Sequence, residues 1–207
     1  MLFGKHLAED SAELDKKIKL DDDDDDGDDL EVHANDNHVY FYTDVNKASI
    51  LALNKNIRRL GAELMHSANV FDIPVPNIKL HINSPGGTLL DGLAAVDYVR
   101  NSKVPIHTFV EGIAASAATL FSVMANKRSI NKHSYMLIHQ LSSGTFGKYH
   151  EMIDDMENNK TLMDAIYSIY TEKTKIPAKV LKEVLKKDLY FDAKTCLKYG
   201  LVDEIIQ

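Results

Sequence analysis

Ile78-Lys79-Leu80-His81-Ile82-Asn83-Ser84-Pro85-Gly86-Gly87 reads as a strand running into a tight glycine turn. Apolar Ile78, Leu80 and Ile82 alternate with polar Lys79, His81 and Asn83, the period of two that sends successive side chains to opposite faces of a sheet. The Gly86-Gly87 pair leaves backbone N–H groups uncovered, because glycine has no side chain to shield them. Upstream, Val39-Tyr40-Phe41-Tyr42 reads as a strand and residues from about 46 to 67 as a helix. Ile50, Leu53, Ile57, Leu60 and Leu64 recur along that helix at spacings of three and four. Downstream, helices are predicted over about 91–100, 115–125 and 148–173, with strands at about 105–110 and at Tyr135-Met136-Leu137-Ile138. This alternation predicts an α/β domain.

The strand near residue 110 gives way to Gly112-Ile113-Ala114-Ala115-Ser116-Ala117, one serine in a run of small residues. A hydroxyl nucleophile needs room for a substrate backbone, and Ala114, Ala115 and Ala117 leave it around Ser116. The tetrahedral intermediate of acyl transfer needs N–H donors, which a Gly-Gly turn and a helix N-terminus both offer. A serine also needs a base, and the base an orienting partner. His139 closes a short apolar strand, and Asp188 stands in Lys186-Lys187-Asp188-Leu189-Tyr190-Phe191, where following apolar residues predict a partly buried carboxylate. Ser116, His139 and Asp188 are thus the candidate nucleophile, base and orienting acid. Each also has a structural reading: a small helix-packing serine, a hydrogen-bonded strand-end histidine, a solvated aspartate balancing Lys186 and Lys187.

Cys196 is the only cysteine, which excludes an intrachain disulfide and suits a reducing cytoplasm. No Cys/His ligand set suggests a metal, no phosphate-binding glycine loop suggests a nucleotide, and no apolar run is long enough to span a bilayer. The net charge of −7 is local in origin: residues 21–31 hold nine acidic side chains and no basic one, leaving the remainder at +2, with no surplus for nucleic acid. Residues 1–37 are therefore expected to form a segment of their own, with a short helix followed by a hydrated acidic stretch, and 38–207 the folded domain. Asp22, Asp24, Asp26 and Gly27 fit the first half of a calcium-binding loop, but the pattern fails at Asp29 and at His33, where an apolar residue and a glutamate belong.

Four motifs, Asn83-Ser84-Pro85-Gly86-Gly87, Gly112-Ile113-Ala114-Ala115-Ser116, Met136-Leu137-Ile138-His139-Gln140 and Tyr199-Gly200-Leu201-Val202-Asp203, stand in the order and spacing of one family. From about His38 onward the chain resembles the proteolytic subunit of the Clp protease, a serine peptidase. The resemblance implies a Clp-protease-like α/β fold, a crotonase-related spiral of ββα units with a protruding strand-helix handle. It implies the roles given above to Ser116, His139 and Asp188, with the N–H groups of Gly87 and Ala117 as the oxyanion hole. Ser143, Gly144 and Thr145 fall on the strand of the handle, which binds substrate backbone. No metal or organic cofactor is implied. The implied partners are unfolded polypeptides, further copies of the chain in a heptameric ring or a stacked tetradecamer, and a Clp-type ATPase that alone would use ATP. A specialised protease of capsid maturation, or a non-catalytic scaffold subunit of a mixed ring, is the alternative.

The chain departs from the family in three places. Leu141 follows Gln140 where proline is usual, Lys187 precedes the aspartate where arginine is common, and Lys79 and His81 occupy strand positions that often carry aromatics of the ATPase-docking pocket. Lysine cannot reproduce the bidentate pairing of a guanidinium, so ring–ring contact is expected to be more salt-sensitive than the ring itself.

Overall fold

The computed structural model describes residues 32–207. The acidic stretch, the short helix expected before it and most of the calcium-loop pattern lie outside the described residues. The sheet begins with a hairpin of β1 (Val32–Asn35) and β2 (His38–Phe41), turned at Asp36 with a positive φ of 53°. The sheet thus takes in residues ahead of His38, where the sequence put the start of the domain. Asn46 and Ser49 cap α1 (Lys47–Phe71) reciprocally, side chain to backbone, and bury Ile50, Leu53, Ile57 and Leu60 while Leu64 is only partly covered. β3 (Ile78–Ser84) leads through the glycine turn to α2 (Leu89–Arg100), and β4 (Ile106–Ala115) leads to the short α3 (Ala117–Ser122). The remaining elements are β5 (Lys127–Asn131), β6 (Tyr135–Leu137), α4 (Tyr149–Lys173), α5 (Ala178–Val184), β7 (Phe191–Asp192), α6 (Ala193–Tyr199) and β8 (Glu204–Ile206).

The strand order is β1-β2-β3-β4-β5-β8, parallel from β2 onward, with β6 branching off β4 and β7 pairing antiparallel to β6. β4 positions the site because it serves two neighbours in turn. His107–Val110 pair with Lys127–Ile130 of β5, and Ile113–Ala115 pair with Tyr135–Leu137 of β6. The change of partner falls at Gly112, with φ of 84°; its N–H donates to Ser134 Oγ at 2.7 Å, and a Cβ there would stand 3.1 Å from the Asn83 side chain. Ala115, which read as the start of a helix, is therefore strand. Backbone pairing with β6 claims Ala114 and Ala115, and the helix expected over 115–125 shortens to 117–122.

Rings from β2 and β4 stack against the polar face of β3, so the polar set of the alternation is not all in water. His81 is 8% exposed, its ring stacked between Tyr40 (centroids 4.6 Å) and Phe109 (5.0 Å), with His107 on the far side of Phe109 at 4.0 Å. His38 Nδ1 lies 2.8 Å from His81 Nε2, His81 Nδ1 2.8 Å from Glu111 Oε1, and the Tyr42 hydroxyl donates to Glu111 as well.

The apolar side chains of α4 divide into two groups. Its C-terminal half buries Ile166, Ile169 and Tyr170, whereas Tyr149, Met152, Ile153 and Met156 at the other end stay exposed. Its C-terminus is fastened by Arg128, whose side chain is only 12% exposed. The guanidinium donates to the Lys173 and Gly200 carbonyls at 2.7 and 2.9 Å and grips Asp203 with two further nitrogens at 3.0 and 2.5 Å. No helix among the described residues is long and apolar enough to cross a membrane.

Candidate active site

Ser116 stands in the single residue between the end of β4 and the start of α3, with φ of 53° and ψ of −126°. A side chain bearing a Cβ is strained in that conformation, at a cost on the order of 1–3 kcal/mol. The surroundings hold it there: Ser116 N–H donates to the Leu137 carbonyl at 2.8 Å, extending the β4–β6 ladder through the serine. Gly86 passes directly behind, where a Cβ would lie 2.7 Å from Ser116 Cβ and 2.5 Å from the Ala115 carbonyl oxygen. Only glycine lets the turn come so close. The sharp bend turns the Ser116 hydroxyl out of the sheet.

His139 lies two residues past β6, one ladder away from β4, which brings its Nε2 to 2.7 Å from Ser116 Oγ. Its Nδ1 is 2.8 Å from Asp188 Oδ1. An ionised carboxylate can only accept, so Nδ1 carries the proton and Nε2 is left to accept from the serine hydroxyl. Lys186 pairs with Glu183 at 2.8 Å, which leaves Asp188 to the imidazole. The expected partial burial of Asp188 is not found: its side chain is 79% exposed, because Leu189 and Tyr190 beside it are themselves exposed. Cys196, the other conceivable nucleophile, is fully buried, and burial pushes its thiol up to about 12, so it holds its proton at neutral pH.

Two backbone donors border the same cleft as the serine. Val45 pairs with the glycine turn through Gly86 O and Thr88 N, both at 2.8 Å, so the N–H of Gly87 between them points the opposite way. Gly87 has φ of 150°, and a Cβ would stand 2.2 Å from the Val45 carbonyl oxygen. Ala117 is the first residue of α3, where an N–H has no intrahelical acceptor. These groups, with Leu120, Leu141 and Ile166, line a cleft of about 300 Å³ that also holds Ser116 and His139.

Of Ser143, Gly144 and Thr145, the structure brings none to the cleft. Ser142 is the last of that segment to line it, and residues 140–148 form no strand. Ser143, Gly144 and Thr145 are exposed, the Thr145 hydroxyl donating to Asp155 of α4. A strand needs a ladder partner, and this segment meets none among the described residues. Leu141 in place of the usual proline brings an N–H, which finds the Met163 sulfur at 3.1 Å. Behind the serine lies a pair that the sequence reading missed: Thr119, hydrogen-bonded to the Ser116 carbonyl, and Tyr170 of α4, whose hydroxyl is 2.6 Å from Thr119 Oγ1. No local pattern marks either residue, since Thr119 sits in a helix and Tyr170 on an apolar stripe.

The family model for Clp protease matches residues 33–207. The chain belongs to the Clp protease family. Its fold is the Clp-protease-like α/β fold expected from the motifs. It is similar to the ATP-dependent Clp protease proteolytic subunit of Deinococcus radiodurans, 31% identical over 135 residues, which are 64% of this chain and 66% of that one. Subunit 1 of Prochlorococcus marinus is 32% identical over 136 residues, covering 65% and 69% of the two chains. That of Chaetosphaeridium globosum is 34% identical over 130 residues, covering 61% and 65%. The matched stretch thus spans about two thirds of each Clp protease relative.

Proposed function

We propose that this chain is a serine endopeptidase subunit that cleaves unfolded polypeptide through an acyl-enzyme on Ser116. The observation that carries the reading is the run of hydrogen bonds Ser116–His139–Asp188, ending beside the Gly87 and Ala117 N–H groups. As Ser116 Oγ attacks the scissile carbonyl carbon, His139 Nε2 takes its proton. Asp188 keeps Nδ1 protonated and stabilises the imidazolium. The carbonyl oxygen, now carrying the charge, accepts from Gly87 and Ala117. Collapse of the tetrahedral intermediate breaks the C–N bond, and His139 gives its proton to the leaving amine. Water, deprotonated by His139, then attacks the ester carbon; as the C–O bond breaks, His139 returns that proton to Ser116 Oγ and the peptide leaves with a new carboxylate. No step calls for a metal or organic cofactor.

The exposed apolar end of α4, with Phe146 beside it, supports assembly with further copies of the chain into a ring, single or stacked. Enclosure of the sites in such a chamber would exclude folded proteins. The relatives' name, ATP-dependent, supports a Clp-type ATPase as partner. A fluorophosphonate probe and a casein-cleavage assay test the reading. Wild type is expected to be labelled and active, and Ser116→Ala to be folded, unlabelled and inactive. Turnover by purified Ser116→Ala would refute the assignment, and a wild type that is never labelled would favour the scaffold alternative.

A further inference from the structure

We infer that Tyr170 is a positioning residue, which acts through Thr119 to hold the Ser116–Ala117 peptide and so aims the Ala117 N–H at the substrate oxygen. This rests on the peptidase reading above. The Ser116 carbonyl accepts twice from Thr119, from its N–H at 3.0 Å and from its hydroxyl at 2.5 Å. In a planar trans peptide the C=O and the following N–H point in opposite directions, so fixing one aims the other. The threonine hydroxyl has one proton, already given to the Ser116 carbonyl. At the 2.6 Å contact Tyr170 is therefore the donor and Thr119 Oγ1 the acceptor.

Three features make this link stiff. Thr119 is fully buried and Tyr170 is 1% exposed, so no water competes for their bonds, and burial pushes the phenol up, keeping it a donor. Tyr170 is held on the last turn of α4, where its carbonyl accepts from Thr174 N–H at 3.0 Å and Thr174 Oγ1 at 2.6 Å. The Arg128 guanidinium holds Lys173 three residues on. Ser116 needs such a hold, since its φ of 53° is not one it would keep unaided. Relaxation there would swing the Ala117 N–H off target while leaving the cleft walls in place.

Tyr170→Phe removes only the hydroxyl. With a fluorogenic peptide, kcat is expected to fall about tenfold at nearly constant KM, less than outright loss of an oxyanion donor. Affinity for a peptide boronic acid, whose tetrahedral adduct on Ser116 places an oxygen where the oxyanion forms, is expected to fall by a similar factor. Because Tyr170 works through Thr119, adding Tyr170→Phe to Thr119→Val should cause no further loss, and Thr119→Ser should keep most of the activity. Unchanged kcat and boronate affinity in Tyr170→Phe would overturn the inference, as would losses that simply multiply in the double variant. Should Tyr170→Phe not fold, equal activity of Thr119→Val and Thr119→Ser overturns it, and a tenfold gap between them upholds it. A wild type that neither cleaves peptide nor binds the boronate fails the peptidase reading itself and takes this inference with it.

Discussion

Replacing Arg128 by methionine should destabilise the fold far more than loss of an ordinary surface charge. The guanidinium makes two bonds to the Asp203 carboxylate and one each to the Lys173 and Gly200 carbonyls, tying the end of α4, the turn after α6 and the approach to β8 to β5. Asp203 is 42% exposed and recovers water when its partner goes, so its loss counts at about 1 kcal/mol. The two carbonyls, left without their donor, cost about 1 kcal/mol each. The sum is about 3 kcal/mol, or roughly 6–12 °C in Tm for a chain of this size. Calorimetry of wild type, Arg128→Met and Arg128→Lys at one protein concentration tests this. Lysine can reach one acceptor but not four, so it should recover less than half of the loss. A Tm within 2 °C of wild type for Arg128→Met, or full recovery by lysine, would refute the reasoning.

Gly87→Ala should cost at least a hundredfold in kcat/KM and several degrees in Tm, since its Cβ would stand 2.2 Å from the Val45 carbonyl; Gly144→Ala, whose Cβ meets nothing within 4 Å, should match wild-type stability in the same melts. Asp188→Asn should lose about a hundredfold in kcat/KM, short of the ~10⁴ typical of a buried triad aspartate, because an exposed amide can turn its oxygen toward Nδ1; steady-state kinetics showing a 10⁴-fold loss would refute that argument from exposure. Burial and neighbouring Lys79 and His81 hold His38 below its ordinary 6.5, outweighing Asp36 and Glu111, and burial with Lys127 does the same for His107 against Glu204 and Asp203. A depressed histidine contributes stability that is complete above pH 6.5 and is lost as pH falls through the folded value, so Tm should drop between pH 7.5 and 5, and less steeply in His38→Gln; parallel curves for the two proteins would count against this.

Much of the site was legible because it is local in sequence. The alternation up to Gly86-Gly87 and the strand before His139 each mark a short segment, and it was the resemblance of four motifs to one family that joined Ser116, His139 and Asp188 into a candidate triad. What stayed hidden depends on contacts distant in the chain. Ala114 and Ala115 have a helix former's side chain, and only their pairing with β6 makes them strand. The positive φ of Ser116 is imposed by Gly86 passing behind it and by Leu137 bonding its N–H. Val32–Asn35 are too few and too polar to read as a strand without β2 opposite them. Asp188 looked shielded by the apolar residues after it, but Leu189 and Tyr190 face outward.

The row of rings across β2, β3 and β4 has a direction, like a line of compass needles. A carboxylate has no proton to give, so Glu111 obliges His81 to turn its Nδ1–H toward it. That leaves His81 Nε2 a bare lone pair, which obliges His38 to present its Nδ1–H. His38 Nε2 is left bare in turn and faces the Lys79 ammonium at 3.3 Å. One carboxylate on β4 thus dictates the tautomer of a ring two strands away. Reversing the polarity at Glu111, as a glutamine offering its N–H₂ would do, reverses every needle in the row and sets an N–H of His38 against the Lys79 ammonium. The pattern of donors and acceptors on this face of the sheet is written at one residue and read at another.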